Sequence, residues 1–281
     1  MAQSYSFEYF TVDFPADHPY VALVEINRAD KMNAFFEAMW HELNHVFTQL
    51  SEDPAVRAIV FAGKGPRAFT TGLDVKAASQ GAFAEDAVVD PARKATWWRR
   101  HIAGFQDCIS SLERCEKPVI AVLHGFTLGL GIDLATAADV RLCSRDVQLA
   151  VKEVDIGLAA DIGTLNRLPK VVGSYGWVKE VALTARVFGA DEALRVGLVN
   201  SVHADREATV AAALKLAALM ASKSPVAVQG TKEILNWSRD HSVQDALRYT
   251  GVWNSASLQT KDVPMALLSG MQKRTPTFEK L

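Results

Sequence analysis

The 281-residue sequence predicts an α/β fold with a mainly helical C-terminal part. In the first half, short apolar runs typical of strands alternate with segments whose apolar residues recur at helical spacing. In the second half, the segments are mostly helical. Strands that alternate with helices indicate layered elements joined by crossover connections. We therefore expect an α/β core over residues 1–200 and a helical region over residues 201–281.

The predicted elements of the first half begin with a pair of strands, Phe7–Phe14 and Val21–Asn27, joined by a turn at Ala16–Pro19. A helix is expected at Phe35–Leu50, because apolar residues recur there at helical spacing. The elements that follow are a strand at Val56–Ala62, a helix at Arg93–Leu112, a strand at Val119–Leu123, a helix at Leu130–Ala138 and a strand at Val140–Cys143. Between Gln80 and Pro91 the sequence is small, polar and acidic, which favours a mobile loop.

The second half predicts a series of helices. They are expected at Ser174–Thr184, Ala190–Val196, Arg206–Ser222, Val226–Trp237, Val243–Ser257 and Val263–Lys273. Ser224 and Pro225 have the pattern of an N-cap followed by proline at the first helical position.

The composition is that of an ordinary globular enzyme, with 49% apolar and 22% charged residues. The formal net charge is −2, and no part of the chain has the basic excess expected of a nucleic-acid binder. The longest apolar stretch, Pro118–Ala138, is interrupted by His124, three glycines and Asp133. We therefore interpret it as a buried strand and helix and not as a membrane span.

The cysteines Cys108, Cys115 and Cys143 are odd in number and form no close pairs. This pattern argues against a disulfide framework and against zinc. A reducing compartment is expected, with all three thiols as small core residues. The first residues, Met1–Phe14, lack a basic region and a long apolar run, so no secretory signal is predicted.

Three local patterns are candidates for chemistry, and the first is Arg67–Lys76, directly after a predicted strand. Its Gly72 permits a tight bend whose backbone N–H groups point outward. Taken alone, the segment is better explained as a strand-to-helix turn with Asp74 as the helix cap.

The second pattern is a glycine-rich turn, His124–Asp133, that leads from a buried strand into a helix. The first N–H groups of a helix have no partner within it and lie at the positive end of its dipole. A developing oxyanion would be stabilised there. The turn lacks the third glycine and the downstream acidic residue of a dinucleotide-binding motif, and Gly63–Gly65 lacks the spacing of a phosphate loop.

The third pattern, Val151–Thr164, places Glu153 and Asp161 on either side of an apolar run, and Asp133 lies 20 residues before Glu153. Acidic residues in apolar segments are uncommon unless they are paired or functional. Desolvation would raise their pKa and prepare them for proton transfer near neutral pH. The alternative, that Asp161 caps the next helix and that Asp133 is exposed, is left open by the residues themselves.

These three patterns, in this order, resemble the crotonase, or enoyl-CoA hydratase/isomerase, superfamily. Two further segments support the resemblance, which runs from about Val21 to the C-terminus. Asn27–Ala34 is similar to the superfamily's N-terminal signature, with Ala29 in place of its proline, and Ala190–Val199 is similar to the segment before its last strand. The resemblance implies a core of repeated ββα units in a spiral, with C-terminal helices that support trimerisation.

The resemblance implies an acyl-CoA thioester as substrate and an oxyanion hole of two backbone N–H groups. These donors fall on Leu73 and on Leu130. At the position of Leu130, the superfamily usually has glycine. The leucine side chain must point away from the thioester, which would narrow the pocket. The residues expected to contact substrate or CoA are Ala68, Phe69, Thr70, Thr71, Gly72, Asp74, Lys76, Gly129 and Lys273. For the two lysines, the alternative is an ordinary solvated position.

The carboxyl groups indicate one group within the superfamily. Hydratases have two glutamates, at the positions held here by Asp133 and Glu153, and commonly have glycine at the position of Asp161. The combination of Asp133, Glu153 and Asp161 closely resembles the Δ3,5-Δ2,4-dienoyl-CoA isomerases of fatty-acid β-oxidation. By this resemblance, Asp161 takes a proton from C2, Glu153 supplies one to C6, and Asp133 tunes the polarity between them.

The resemblance further implies that no metal or redox cofactor is needed and that two trimers form a homohexamer. The chain ends in Glu279–Leu281, close to a Ser-Lys-Leu peroxisomal signal but with glutamate at the small-residue position. We expect a peroxisomal protein, with the cytosol or the mitochondrial matrix as alternatives. The competing functions are an enoyl-CoA hydratase and a catalytically silent CoA-binding scaffold.

Overall fold

The structure is a computed structural model in which residues 5–80 and 90–281 are described. Most of the predicted Gln80–Pro91 loop, residues 81–89, lies outside the described residues. Strands and helices alternate up to about residue 203, and helices follow from there to the end. The predicted α/β class and the helical C-terminal part are therefore confirmed.

The strands are β1 (Phe10–Asp13), β2 (Val21–Ile26), β3 (Ala58–Gly63), β4 (Ala68–Thr70), β5 (Val119–Leu123), β6 (Phe126–Leu128), β7 (Val140–Ser144), β8 (Gln148–Ala150), β9 (Phe188–Gly189) and β10 (Ser201–His203). The α-helices are α1 (Glu37–Glu52), α2 (Val75–Gln80), α3 (Pro91–Arg114), α4 (Leu130–Ala137), α5 (Thr164–Val171), α6 (Tyr175–Thr184), α7 (Ala190–Arg195), α8 (Arg206–Ala221), α9 (Pro225–Arg239), α10 (Val243–Ser257) and α11 (Asp262–Met271). Short 3₁₀ helices cover Ala29–Lys31 and Glu153–Ile156.

The strands of the described residues form a larger and a smaller sheet. The larger has the order β1-β2-β3-β5-β7-β10, in which β1 and β2 are antiparallel and the other neighbours are parallel. The smaller has the order β4-β6-β8-β9. The consecutive strand pairs β3/β4, β5/β6 and β7/β8 each contribute one strand to each sheet. With each such pair, the chain therefore adds one strand to both sheets. This is the spiral of repeated units that the resemblance implied.

The central strands β3 and β5 of the larger sheet are buried on both faces, as expected for parallel strands. In β3, Ile59 and Phe61 face the main core, whereas Ala58, Val60 and Ala62 face the opposite side. Successive side chains of a strand point to opposite faces, so the alternation follows from the sequence.

Helix α8 covers the second face of the larger sheet. Its residues Ala213, Ala217 and Ala221 are spaced by one turn and are buried against that face. Their small side chains permit a close approach of the helix to the sheet. The helix lies within residues 201–281, and the division of the chain at residue 200 stays a prediction.

The three cysteines are free and buried, which confirms their prediction as core residues. No single helix of the described ranges has the length and apolar character to cross a membrane. Helices α8 and α9 taken together are long and apolar enough by composition, but the axes of the two helices are bent by 109° where they join.

Candidate active site

A cavity of about 430 Å³ opens beside the start of α4. Its lining is mostly apolar and comes from α1, α2 and the turn before it, α3, the start of α4 and the segment around the second 3₁₀ helix. The predicted residues that line it are Thr71, Gly72, Leu73, Gly129, Leu130, Glu153 and Asp161. Residues from all three sequence patterns thus line one cavity.

The Gly72–Leu73 turn is held against the loop before α1. The N–H of Phe35 donates to the Gly72 carbonyl at 2.8 Å, and the N–H of Asp74 donates to the Phe35 carbonyl at 2.8 Å. The intervening N–H of Leu73 has no hydrogen-bond acceptor among the described residues. Gly72 has φ +90°, and a Cβ there would lie 2.9 Å from the Leu128 carbonyl oxygen, so a side chain is excluded.

The N-terminal signature segment supports this turn. The Arg28 guanidinium donates to the Asp74 carboxylate at 2.8 Å and to the Ala34 carbonyl at 2.8 Å. The Asn33 side-chain amide donates to the Ala68 carbonyl at 2.9 Å, and the Thr70 hydroxyl donates to the Asn33 carbonyl at 2.7 Å. The signature therefore fixes β4 and the turn that follows it.

The second N–H donor is at the first residue of α4. Gly129, with φ +52°, is the N-cap, and the Leu130 N–H that follows has no acceptor in the described part of the chain. A Cβ on Gly72 would lie 3.6 Å from the Leu130 nitrogen, so the two turns are adjacent. The Leu130 side chain is buried in the main core. Its backbone therefore reaches the cavity with little of its side chain exposed.

Glu153 lies at the start of the second 3₁₀ helix, against the Gly129 turn. A Cβ on Gly129 would lie 3.3 Å from Glu153 Oε1. The other oxygen, Oε2, is buried and has no partner among the described residues. Burial raises the pKa of Glu153, the N–H groups of Glu153 and Lys152 oppose this, and the nearby Asp161 adds to the rise. Burial of this carboxyl group therefore shifts Glu153 toward its protonated form.

Asp161 lines the same cavity and is exposed. Desolvation by the surrounding protein raises the pKa of Asp161, whereas its own N–H and positive charge on His101 act in the opposite direction. Helix α5 begins at Thr164 after Gly163, so the alternative that Asp161 caps this helix is wrong. The site thus contains a more exposed carboxyl group and a more buried one.

Asp133 is fully buried behind the cavity and does not line it. The alternative that it is exposed is wrong. Its Oδ1 accepts the N–H of Thr164 at 2.5 Å, and its Oδ2 has no partner in the described ranges. Burial, and next the charge of Glu153, raise the pKa of Asp133 to about 8. Burial therefore favours the neutral form of Asp133, which contacts the loop that carries Asp161.

Other predicted contact residues lie outside the cavity lining of the described residues. Ala68, Phe69 and Thr70 form β4 and are buried. Asp74 accepts the N–H of Ala77 at 3.1 Å, which fits the simpler interpretation of Asp74 as a helix cap. Lys76 and Lys273 are exposed. Their contacts with substrate stay predictions.

One wall of the cavity is aromatic, which the sequence did not predict. Trp40, from α1, stacks on Phe105, from α3, and His101 lies between Trp40 and Trp97, with the His101 and Trp97 rings stacked at 4.8 Å. Trp98 and Phe36 also line the cavity. The sequence signal for this wall is the cluster of aromatic residues in α3. Their helical spacing alone indicates only that the helix packs against the core.

Among the described residues, no group of three or more His, Cys, Asp or Glu side chains is arranged to hold a metal ion.

Comparisons with known proteins match nearly the whole chain. A family model described as enoyl-CoA hydratase/isomerase matches residues 18–280. The chain is 44% identical to the human mitochondrial Delta(3,5)-Delta(2,4)-dienoyl-CoA isomerase over 284 residues, covering 100% of this chain and 85% of that protein. It is 40% identical to the peroxisomal enzyme of the same name from Arabidopsis thaliana, covering 91% of each.

Solved structures have the same fold. The enoyl-CoA hydratase from Bacillus anthracis superposes with a TM-score of 0.86 at 26% identity, covering 97% of this chain and 99% of that one. The enoyl-CoA hydratase from Mycobacterium tuberculosis superposes with a TM-score of 0.81 at 28% identity, covering 96% and 98%.

Proposed function

The chain belongs to the enoyl-CoA hydratase/isomerase family, and from this premise we propose that it isomerises 3,5-dienoyl-CoA to 2,4-dienoyl-CoA in fatty-acid β-oxidation. The relatives in human and Arabidopsis that carry the name of this isomerase support the proposal. The observation that carries it is the pairing of Glu153 and Asp161 in one mostly apolar cavity, beside two unpaired backbone N–H groups.

The reaction moves two double bonds by proton transfer at two carbons. Asp161 removes a proton from C2, and the C2–H electron pair delocalises along the diene and onto the thioester oxygen. Protonated Glu153 gives its proton to C6, and the double bonds settle at C2 and C4. This leaves Asp161 protonated and Glu153 ionised, and exchange with solvent, in which Asp161 releases one proton and Glu153 takes one up, restores the starting state. One ionised and one protonated carboxyl group are required, and the more buried group favours the protonated form.

The backbone N–H groups of Leu73 and Leu130 stabilise the thioester oxygen as negative charge develops on it. Each such donor contributes about 3–4 kcal/mol in comparable oxyanion holes. Because these N–H groups are fixed before substrate binds, little reorganisation is needed in the transition state. Burial favours the neutral form of Asp133, and in that form Asp133 places no negative charge beside Glu153.

A hydratase is the main alternative within the family. The resemblance places the two hydratase carboxyl groups at Asp133 and Glu153, yet Asp133 is buried against the Thr164 N–H and does not line the cavity. Of the three predicted carboxyl groups, only Glu153 and Asp161 line the cavity where a water molecule would lie. This arrangement favours isomerisation over hydration.

The substrate contacts, oligomeric state and cellular compartment belong to the same proposal. We propose a CoA thioester as substrate with no metal or redox cofactor, CoA phosphates near Lys76 and Lys273, and a homohexamer of two trimers. The compartment is a peroxisome or a mitochondrion, in keeping with the relatives' names, and we place the peroxisome first.

The test is an absorbance assay with a 3,5-dienoyl-CoA, because the conjugated 2,4-dienoyl product absorbs differently. The wild type should produce that change, and Asp161→Asn and Glu153→Gln should each slow it by about 10²–10⁴-fold, the usual contribution of a positioned acid or base. The double variant should be little slower than either single one, because residues that act as a unit are not additive.

Two controls separate the alternatives. Thioester binding by both single variants should stay close to wild type, and hydration of crotonyl-CoA by the wild type should be slow relative to isomerisation. Near-normal isomerisation by a folded Asp161→Asn enzyme would restore the hydratase as the first choice. Thioester binding by the wild type without any turnover would favour the silent scaffold.

A further inference from the structure

The loop that carries Asp161 has few hydrogen bonds of its own. From Ala159 to Ile162, the described residues show no hydrogen bond from or to another backbone group. Ala160 and Ile162 are buried and anchor the loop by packing. Packing resists removal of these side chains from the core, but it does not set the rotation of the peptide between them. The orientation of Asp161 therefore depends on some other contact.

That contact comes from helix α3. The Gln106 side-chain amide donates to the Asp161 carbonyl oxygen at 2.6 Å, across 55 residues of sequence. This is a short, neutral hydrogen bond to the peptide of the residue that holds the proposed base. It is the one hydrogen bond made by that carbonyl within the described residues.

The same face of α3 holds the start of the next helix. Ser110 and Glu113 follow Gln106 by four and seven residues, so all three lie on one side of α3. Arg167, from α5, donates to the Ser110 hydroxyl at 2.8 Å and to the Glu113 carboxylate at 3.0 Å. The segment from Asp161 to Arg167 is thus attached to one rigid helix at both of its ends.

We propose that Gln106 is a positioning residue that holds the Asp161 carboxyl group at the distance and angle needed to remove the C2 proton. The inference rests on the role of Asp161 proposed above. Helix α3 also supplies Trp98, His101 and Phe105 to the cavity wall. A single helix therefore sets both the wall that contacts the acyl chain and the base that acts on it.

The direct test compares Gln106→Leu, which removes the donor, with Gln106→Lys, which restores a long donor. Gln106 is exposed, so both variants should fold with near-normal thermal stability. Gln106→Leu should lower kcat for diene isomerisation by about 10–100-fold with KM little changed, because displacing a catalytic group by about 1 Å costs up to 100-fold. Gln106→Lys should recover most of the loss, and the matched control Gln148→Leu, at an exposed site on β8, should match wild type.

A double-variant comparison separates positioning from a general structural effect. In an Asp161→Asn background, Gln106→Leu should cause no further loss, because the group that it positions is gone. An equal fold loss in both backgrounds, or wild-type kinetics for Gln106→Leu, would overturn the inference. If Asp161→Asn alone has near-normal activity, the proposed function fails instead, so the two failures are distinguishable.

Discussion

Asp133, Glu153 and Asp161 carry the same functional group in three environments. Asp161 is exposed to the cavity, Glu153 is half-buried with one unpaired oxygen, and Asp133 is fully buried. Desolvation disfavours the charged form, so the tendency to stay protonated follows the depth of burial. In the proposed mechanism, the carboxyl group thereby supplies a base, an acid and a neutral neighbour in the same site.

Asp133 should make the folded state less stable as the pH rises. Its folded pKa of about 8 lies above the ordinary value of about 3.9 in an unfolded chain. Between these two values the unfolded state releases a proton that the folded state keeps, so the free energy of unfolding falls by at most about 1.4 kcal/mol per pH unit. Asp133→Asn does not titrate, and its side-chain oxygen can still accept the Thr164 N–H.

The expected result is that Asp133→Asn gains stability relative to wild type as the pH rises from about 4 to about 8, with no further gain above it. Urea unfolding at pH 5 and pH 8 measures the difference. Asp191→Asn is the control, since the Asp191 side chain is 90% exposed and should give the same difference at both pH values. A pH-independent difference for Asp133→Asn would mean that Asp133 is ionised in the folded protein.

At the scale of elements, the start of α4 carries one donor of the proposed oxyanion hole. Leu130 is the first residue of the helix, where proline is well tolerated, so Leu130→Pro removes the N–H with little change to the backbone. It should lower kcat by about 10²–10³-fold, the usual loss for one oxyanion-hole donor. The dienoyl-CoA absorbance assay measures it.

Leu130→Gly is the matched variant, because it removes the same core side chain and keeps the N–H. It should lower thermal stability but retain activity within about 10-fold of wild type, well short of the loss expected for a missing donor. It should also accept bulkier acyl groups if Leu130 narrows the pocket. A folded but inactive Leu130→Gly enzyme would show that the leucine side chain matters more than its N–H.

The elements differ in how far the sequence could predict them. Helix α1 was predicted to within two residues at each end, because sixteen residues contain several repeats of the helical period. Strands β4, β6 and β8 have three residues each, too few for a period of two to be recognised. The smaller sheet was therefore missed, and the segments Arg67–Lys76 and His124–Asp133 were interpreted only as turns.

For a related reason, some residues of the site were predicted from the sequence and others were not. Glu153, Asp161 and the two glycine turns were found because glycine and acidic residues stand out within apolar segments. Gln106 was missed because one exposed glutamine on a helix has no local signal, and its partner lies 55 residues away. Contacts between distant segments depend on the fold, which the resemblance supplied only in outline.

At the scale of the whole molecule, the C-terminal helices leave a large apolar surface uncovered. Helix α10 is joined to α9 by stacking of Tyr249 on Trp237 at 4.4 Å and by the Tyr249 hydroxyl, which donates to Glu233 at 2.8 Å. Its opposite side exposes Val243 and Leu247, at 77% and 67%. Large exposed apolar patches on soluble proteins mark interaction surfaces.

A homohexamer would cover this surface with other copies of the chain, and the prediction is tested through Leu247. Sedimentation velocity of the wild type should give about six times the mass of the 30.6 kDa chain. Leu247→Asp places a charge in the buried contact and should shift the protein to smaller species, because an unpaired charge in an apolar interface costs several kcal/mol. Leu247→Met keeps an apolar side chain of similar volume and should remain hexameric. A stable, active wild-type monomer at assay concentration would contradict the hexamer, and an unchanged mass for Leu247→Asp would place the contact elsewhere on the surface.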